Sequence, residues 1–107
     1  MKNVLDYLTW EHVELGVRIT GCDKSFEGSM VIPDHINGVA VVEIGEEAFA
    51  YCSRLEELHL GAGIKKIEKQ AFTGCSSLRR VVLPSTLEAL ARDAFGFGVD
   101  LAFDDER

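Results

Sequence analysis

Apolar residues recur along this chain at an offset of 23. Ile44, Ile67 and Leu90 share a column, as do Ala48, Ala71 and Ala94, and then Phe49, Phe72 and Phe95. Val41, Ile64 and Leu87 line up ahead of them, and Leu55, Leu78 and Leu101 behind. Cys52 and Cys75 match, with Gly98 third; Leu58 matches Val81, and Leu60 matches Leu83. A fixed period of this length marks a repeat architecture. One unit is too small to bury its own apolar face, so stacked units share a continuous core. Leu58 and Leu60 alternate with Glu57 and His59, and Val81 and Leu83 alternate with Arg80 and Val82. Both stretches read as strands, apolar side inward. Pro84 with Ser85-Thr86 reads as a turn. The Ala-Phe-x-x-Cys segment is too short for a full helix and predicts a single helical or 3₁₀ turn that plugs Phe and Cys into the core.

Ahead of the repeats, Val13, Leu15, Val17 and Ile19 alternate and predict a strand. Val4, Leu5 and Leu8 suit a short helix before it, and Trp10 can cover the face of the first repeat. The predicted organisation is one domain: a cap and first strand over 1–40, then repeats at 41–63, 64–86 and 87–107. The last repeat is partial. Asp104 falls in the column of Leu58 and Val81, and Gly98 in that of the cysteines. Val99 to Phe103 then reads as a last, irregular strand before a polar end. Charged residues there discourage edge-to-edge association.

The repeat Ile44-x-x-x-Ala48-Phe49-x-x-Cys52-x-x-Leu55-x-x-Leu58-x-Leu60 recurs from Ile67 to Leu83-Pro84. It resembles the BspA-type leucine-rich repeats, also called the Treponema pallidum-type class. Gly16 to Gly21, Met30-Val31-Ile32-Pro33, Asn37-Gly38 and Val41 to Gly45 resemble the hairpin, strand and turn that open such proteins. The resemblance runs from about Leu8 to Leu101. It implies a leucine-rich-repeat solenoid of the α/β class. Short strands and single helical or 3₁₀ turns would alternate, behind an N-terminal β-hairpin cap. It also implies an interaction role, since such proteins are mostly bacterial or protist surface and interaction proteins.

Composition narrows the partners. Eleven Lys+Arg against eighteen Asp+Glu leave a formal charge of −7. That opposes nucleic acid and anionic membrane surfaces, both of which need basic patches. No apolar run reaches the roughly 18–20 residues of a membrane-spanning helix. No secretory signal opens the chain, so the expected location is cytoplasmic as the sequence stands; a trimmed chain would instead fit the cell surface or secretion. Three cysteines (Cys22, Cys52, Cys75) form neither a disulfide framework nor a Cys-x-x-Cys pair. His12, His35 and His59 are scattered. No metal, cofactor or catalytic site is expected.

The period also stacks charges: Glu43 over Lys66, Glu46 over Lys69, Glu56 over Arg79, Glu57 over Arg80, Lys65 over Glu88. These can fix the order of the layers, form a binding stripe, or both. Glu57 and His59 lie on one strand face within hydrogen-bonding reach, but no nucleophile stands beside them. The expected function is a non-catalytic protein-binding module using Glu57, His59, Arg80 and Val82. The alternatives are a self-associating solenoid that forms homo-oligomers and a fragment of a longer surface-exposed repeat protein.

Overall fold

A computed structural model describes residues 3–104. Its strands are β1 (Leu8–Val13), β2 (Gly16–Cys22), β3 (Gly28–Val31), β4 (His35–Ile36) and β5 (Val39–Ile44). They continue with β6 (Leu55–His59), β7 (Lys66–Ile67), β8 (Arg80–Pro84), β9 (Ala89–Leu90) and β10 (Asp100–Asp104). Two sheets run side by side up the molecule. The first has the order β1-β2-β5-β7-β9 with β4 paired to β5, and the second β10-β8-β6-β3. Beyond the β1-β2 and β4-β5 hairpins every pairing is parallel. The chain therefore winds as a solenoid of about four layers: β2/β3, β5/β6, β7/β8 and β9/β10.

The repeated columns form the core. Phe49 and Phe72 stack with centroids 5.1 Å apart, and Phe72 and Phe95 with centroids 4.8 Å apart. This spacing matches the separation of paired strands. Ile44 and Ile67 lie side by side in the first sheet, Leu58 and Val81 in the second, and all four are buried. The Ala-Phe-x-x-Cys segment is a succession of single turns. Ala48, Ala50 and Cys52 donate to the carbonyls of Gly45, Glu47 and Phe49. Left-handed Glu47 (φ 58°) and Tyr51 (φ 62°) stop it from extending into a helix. The freed amides bond across layers instead: Phe49 to the Ala71 carbonyl, Tyr51 to that of Thr73, and Phe72 to that of Ala94. The main chain of each turn is thus satisfied by the next turn, as a buried backbone requires.

The N-terminal cap differs from the expected single strand through Val13 and Ile19. Val13 pairs with Gly16, so Glu14-Leu15 is the tip of a hairpin and Leu15 points to solvent. Gly16 sits so close to β5 that a Cβ there would collide with the Ala40 carbonyl. Period two alone cannot see such a reversal. The expected short helix is a 3₁₀ turn, Val4–Tyr7, capped by the Asn3 side chain; Leu8 instead opens β1. Trp10 is half-buried against the core. Asn37-Gly38 forms the two-residue loop between β4 and β5, both residues at positive φ (52° and 81°), the geometry of a type I′ turn.

The last layer departs from the period. Leu101 pairs with Val81 and Phe103 with Leu83, not 23 but 20 positions on. Asp104 therefore stands opposite Pro84 rather than in the Leu58/Val81 column. The loop after Phe95 is three residues shorter than the one after Phe72, and the strand slides to refill the apolar column that a strict repeat would have given to an aspartate.

Two stability predictions follow from this packing. Phe72→Ala should lower stability by ~3–5 kcal/mol in chemical denaturation, whereas Glu46→Ala, on the exposed turn, should stay within about 0.5 kcal/mol of the parent. Asn37→Val should cost about 1–2 kcal/mol because a β-branched residue resists the left-handed conformation, while Asn37→Gly should be near neutral.

Candidate functional site

The outer face of the second sheet carries two ladders. Ser29, Glu57, Arg80 and Asp100 are consecutive cross-strand neighbours, and so are Val31, His59, Val82 and Ala102. Inward neighbours Met30, Leu58 and Val81 hold the strands to the core, so period two turns these eight outward. At about 4.8 Å per strand each ladder spans roughly 14 Å. Glu57, His59, Arg80 and Val82, the four residues singled out from the sequence, line one shallow groove together with Ser29 and Val31. Its volume of about 150 Å³ is below the roughly 300–1,000 Å³ of small-molecule sites. An extended contact fits such a surface better than an enclosed ligand.

Ser29 and Val31 escape a reading at offset 23. They stand 28 positions before their partners, because the loop between the cap and the first repeat is longer and a bulge lies between Gly28 and Ser29. Asp100 and Ala102 escape it through the shortened last layer. Exposed Val31 beside β6 was the available signal, as the outward neighbour of the Ile32-Pro33 pair.

Charge in the groove is distributed unevenly. Glu57 accepts from Arg79 Nη2 at 3.3 Å, and Arg79 also pairs with Glu56 at 3.7 Å. Arg80 makes no ion pair among the described residues, although it lies between Glu57 and Asp100 in register. The expected Glu57–Arg80 pair is thus displaced to the neighbouring arginine. Lys65–Glu88 and Glu56–Arg79 do pair. Glu43 turns away from Lys66 and binds Arg18 Nε at 3.0 Å. Arg18 also reaches Glu11, and Glu68 at 3.8 Å. Exposed pairs of this kind are each worth about 0–1 kcal/mol, so the network orders the layers more than it stabilises them.

The thiols point inward and serve the stack. Cys75 Sγ donates to the Phe49 carbonyl at 3.0 Å and Cys52 Sγ to the Cys22 carbonyl at 3.8 Å, each reaching back one layer. Burial pushes the Cys75 thiol up to about 11. The neighbouring Cys52, and then burial, push Cys22 up as well. Held protonated, Cys22 and Cys75 are poor nucleophiles and poor metal ligands, whereas the contact with Cys22 lowers the thiol of Cys52, which is fully buried. Among the described residues no group of His, Cys, Asp and Glu has the arrangement to hold a metal ion. No helix among them is long and apolar enough to cross a membrane.

With this geometry in view, known proteins can be compared. A crystal structure of a leucine-rich repeat protein from T. pallidum is 28% identical to the chain and superposes with a TM-score of 0.76, over 84% of this chain and 42% of that one. The chain therefore spans less than half of that protein. A leucine-rich cell surface protein from Faecalibacterium prausnitzii is 17% identical with a TM-score of 0.44, over 97% of this chain and 40% of that one. No curated protein matches the chain. The family model for the BspA-type leucine-rich repeat region matches residues 22–101. That match spans most of the length and both the cap strand and the repeats, so the chain belongs to the BspA-type leucine-rich repeat family.

Proposed function

We propose that the chain acts as a non-catalytic protein-binding module whose contact surface is the groove on the second sheet. The observation that supports this is the convergence of Glu57, His59, Arg80 and Val82 with Ser29 and Val31 on adjacent strands of one open face. The repeat holds the inward positions to a narrow choice of apolar residues and leaves the outward ones free to suit a partner. Arg80, which makes no ion pair among the described residues, supplies a guanidinium suited to a carboxylate or a carbonyl pair. Val31 and Val82 supply apolar area beside it. The whole domain, cap and repeats together, works as the rigid support of that face. A leucine-rich repeat scaffold is a common vehicle for protein contacts.

The experiment uses the chain and two charge reversals as baits for proteins from its source cells. Arg80→Glu lies in the groove, and Lys65→Glu lies away from it beside the first sheet. A protein held by the parent chain and by Lys65→Glu, and lost by Arg80→Glu, carries the proposal. A partner lost with Lys65→Glu alone moves the binding face elsewhere.

A further inference from the structure

The groove on the second sheet has a direction. It takes Ser29 and Val31 from β3, Glu57 and His59 from β6, and Arg80 and Val82 from β8. It therefore runs across the strands. Met30 and Leu58 also line it, although their side chains are buried in the core. Their main chain is thus its floor, and the two outward ladders are its walls. Ladder residues on one strand stand two positions apart, so the walls lie about 6.6–6.8 Å from each other. That width admits one row of side chains. One wall is the polar ladder with Glu57, Arg80 and Asp100 in register. The other is the mostly apolar ladder that carries Val31, Val82 and Ala102.

A segment lying along this trough must match the layer spacing, which is about 4.8 Å. Side chains on one face of an α-helix recur about every 5.4 Å. On one face of an extended strand they recur about every 6.6–6.8 Å. From β3 to β10 the trough advances roughly 14 Å in three steps. Three helical turns advance roughly 16 Å, a drift of about 2 Å that side chains absorb. Three extended steps advance roughly 20 Å and drift by about 6 Å, more than a whole layer. A polyproline helix repeats at about 9.3 Å and meets alternate layers only. It is also held by aromatic walls, and no Phe, Tyr or Trp lines this groove.

Charge sets the pattern. Arg80 stands in register between Glu57 and Asp100. Glu57 is already held by Arg79 at 3.3 Å, so Arg80 is the charge that a partner must answer. The complement of this wall is a carboxylate between two cations at one-turn spacing. On a helix, such neighbours of opposite charge also support one another. We infer, on the reading that this groove is the contact surface, that its partner segment is an amphipathic α-helix lying across the strands, with its apolar stripe in the trough and a Glu or Asp facing Arg80 between two Lys or Arg. A trough of roughly 14 Å takes about nine or ten helical residues, a contact in the small, transient class.

Titration of the isotope-labelled chain with three synthetic peptides of about 18 residues, long enough to hold a helix, tests this through amide shifts. The first carries leucines at i, i+4, i+7 and i+11, with Lys, Glu and Lys along their flank. The second has Lys in place of that Glu. The third holds the residues of the first in alternating order, with one proline added to bar a helix. The first should give saturable shifts at Val31, Glu57, His59 and Val82. The second should bind about tenfold more weakly, despite the chain's charge of −7, and the third about tenfold more weakly too. Arg80→Glu should invert the order of the first two, and its own amide spectrum reports that it is folded. A third peptide as tight as the first, an order unchanged by Arg80→Glu, or no shift at the groove with the first peptide would overturn the inference. The first two of these outcomes leave the groove standing as the contact surface. So does the last, if a protein is still captured by the parent chain and lost with Arg80→Glu. Shifts confined to the first sheet would remove both the helix and the groove.

Discussion

Parallel pairing between successive layers is the constraint on which the rest of this molecule depends. It fixes a rise of one strand width per turn of chain, and each inward side chain must then meet its own kind above and below. The Phe49–Phe72–Phe95 stack is the clearest result, with rings 4.8–5.1 Å apart. Equal spacing lets a single side-chain shape serve every layer. Where the chain offers fewer residues, as after Phe95, the strand slides until Leu101 and Phe103 refill the columns. Apolar contact therefore outranks the sequence period when the two conflict, because an aspartate set beside Val81 would give up the apolar contact that Leu101 makes there.

The same geometry assigns the polar groups their work. Turns broken by left-handed residues release amides to the next layer. Cys52 and Cys75 donate backward to main-chain carbonyls of the preceding layer. Thr86 accepts from Gly63 at 3.2 Å and donates to the Ile64 carbonyl at 3.0 Å, joining two inter-repeat turns. These groups hold the layers in register, and the outward ladders inherit their order from them.

The core columns were legible in the sequence because core residues repeat at a constant offset and differ sharply from their neighbours. Glu57, His59, Arg80 and Val82 were legible for the same reason, being one residue off those columns. Ser29, Val31, Asp100 and Ala102 were not, since a longer loop on one side and a shorter one on the other displace them from the period. Leu15 falls at a hairpin tip, which alternation alone extends into one continuous strand. The partner choice of Arg18 and Arg79 was also hidden. Long flexible side chains reach diagonal neighbours as readily as opposite ones, and the energies that decide are small.

The register of the last layer rests on where β10 lies. Amide and α-proton nuclear Overhauser contacts between β8 and β10 test that register most directly. The account predicts contacts that join Leu101 to Val81 and Asp100 to Arg80. Contacts joining Asp104 to Val81, the register of an unbroken 23-residue period, would contradict it.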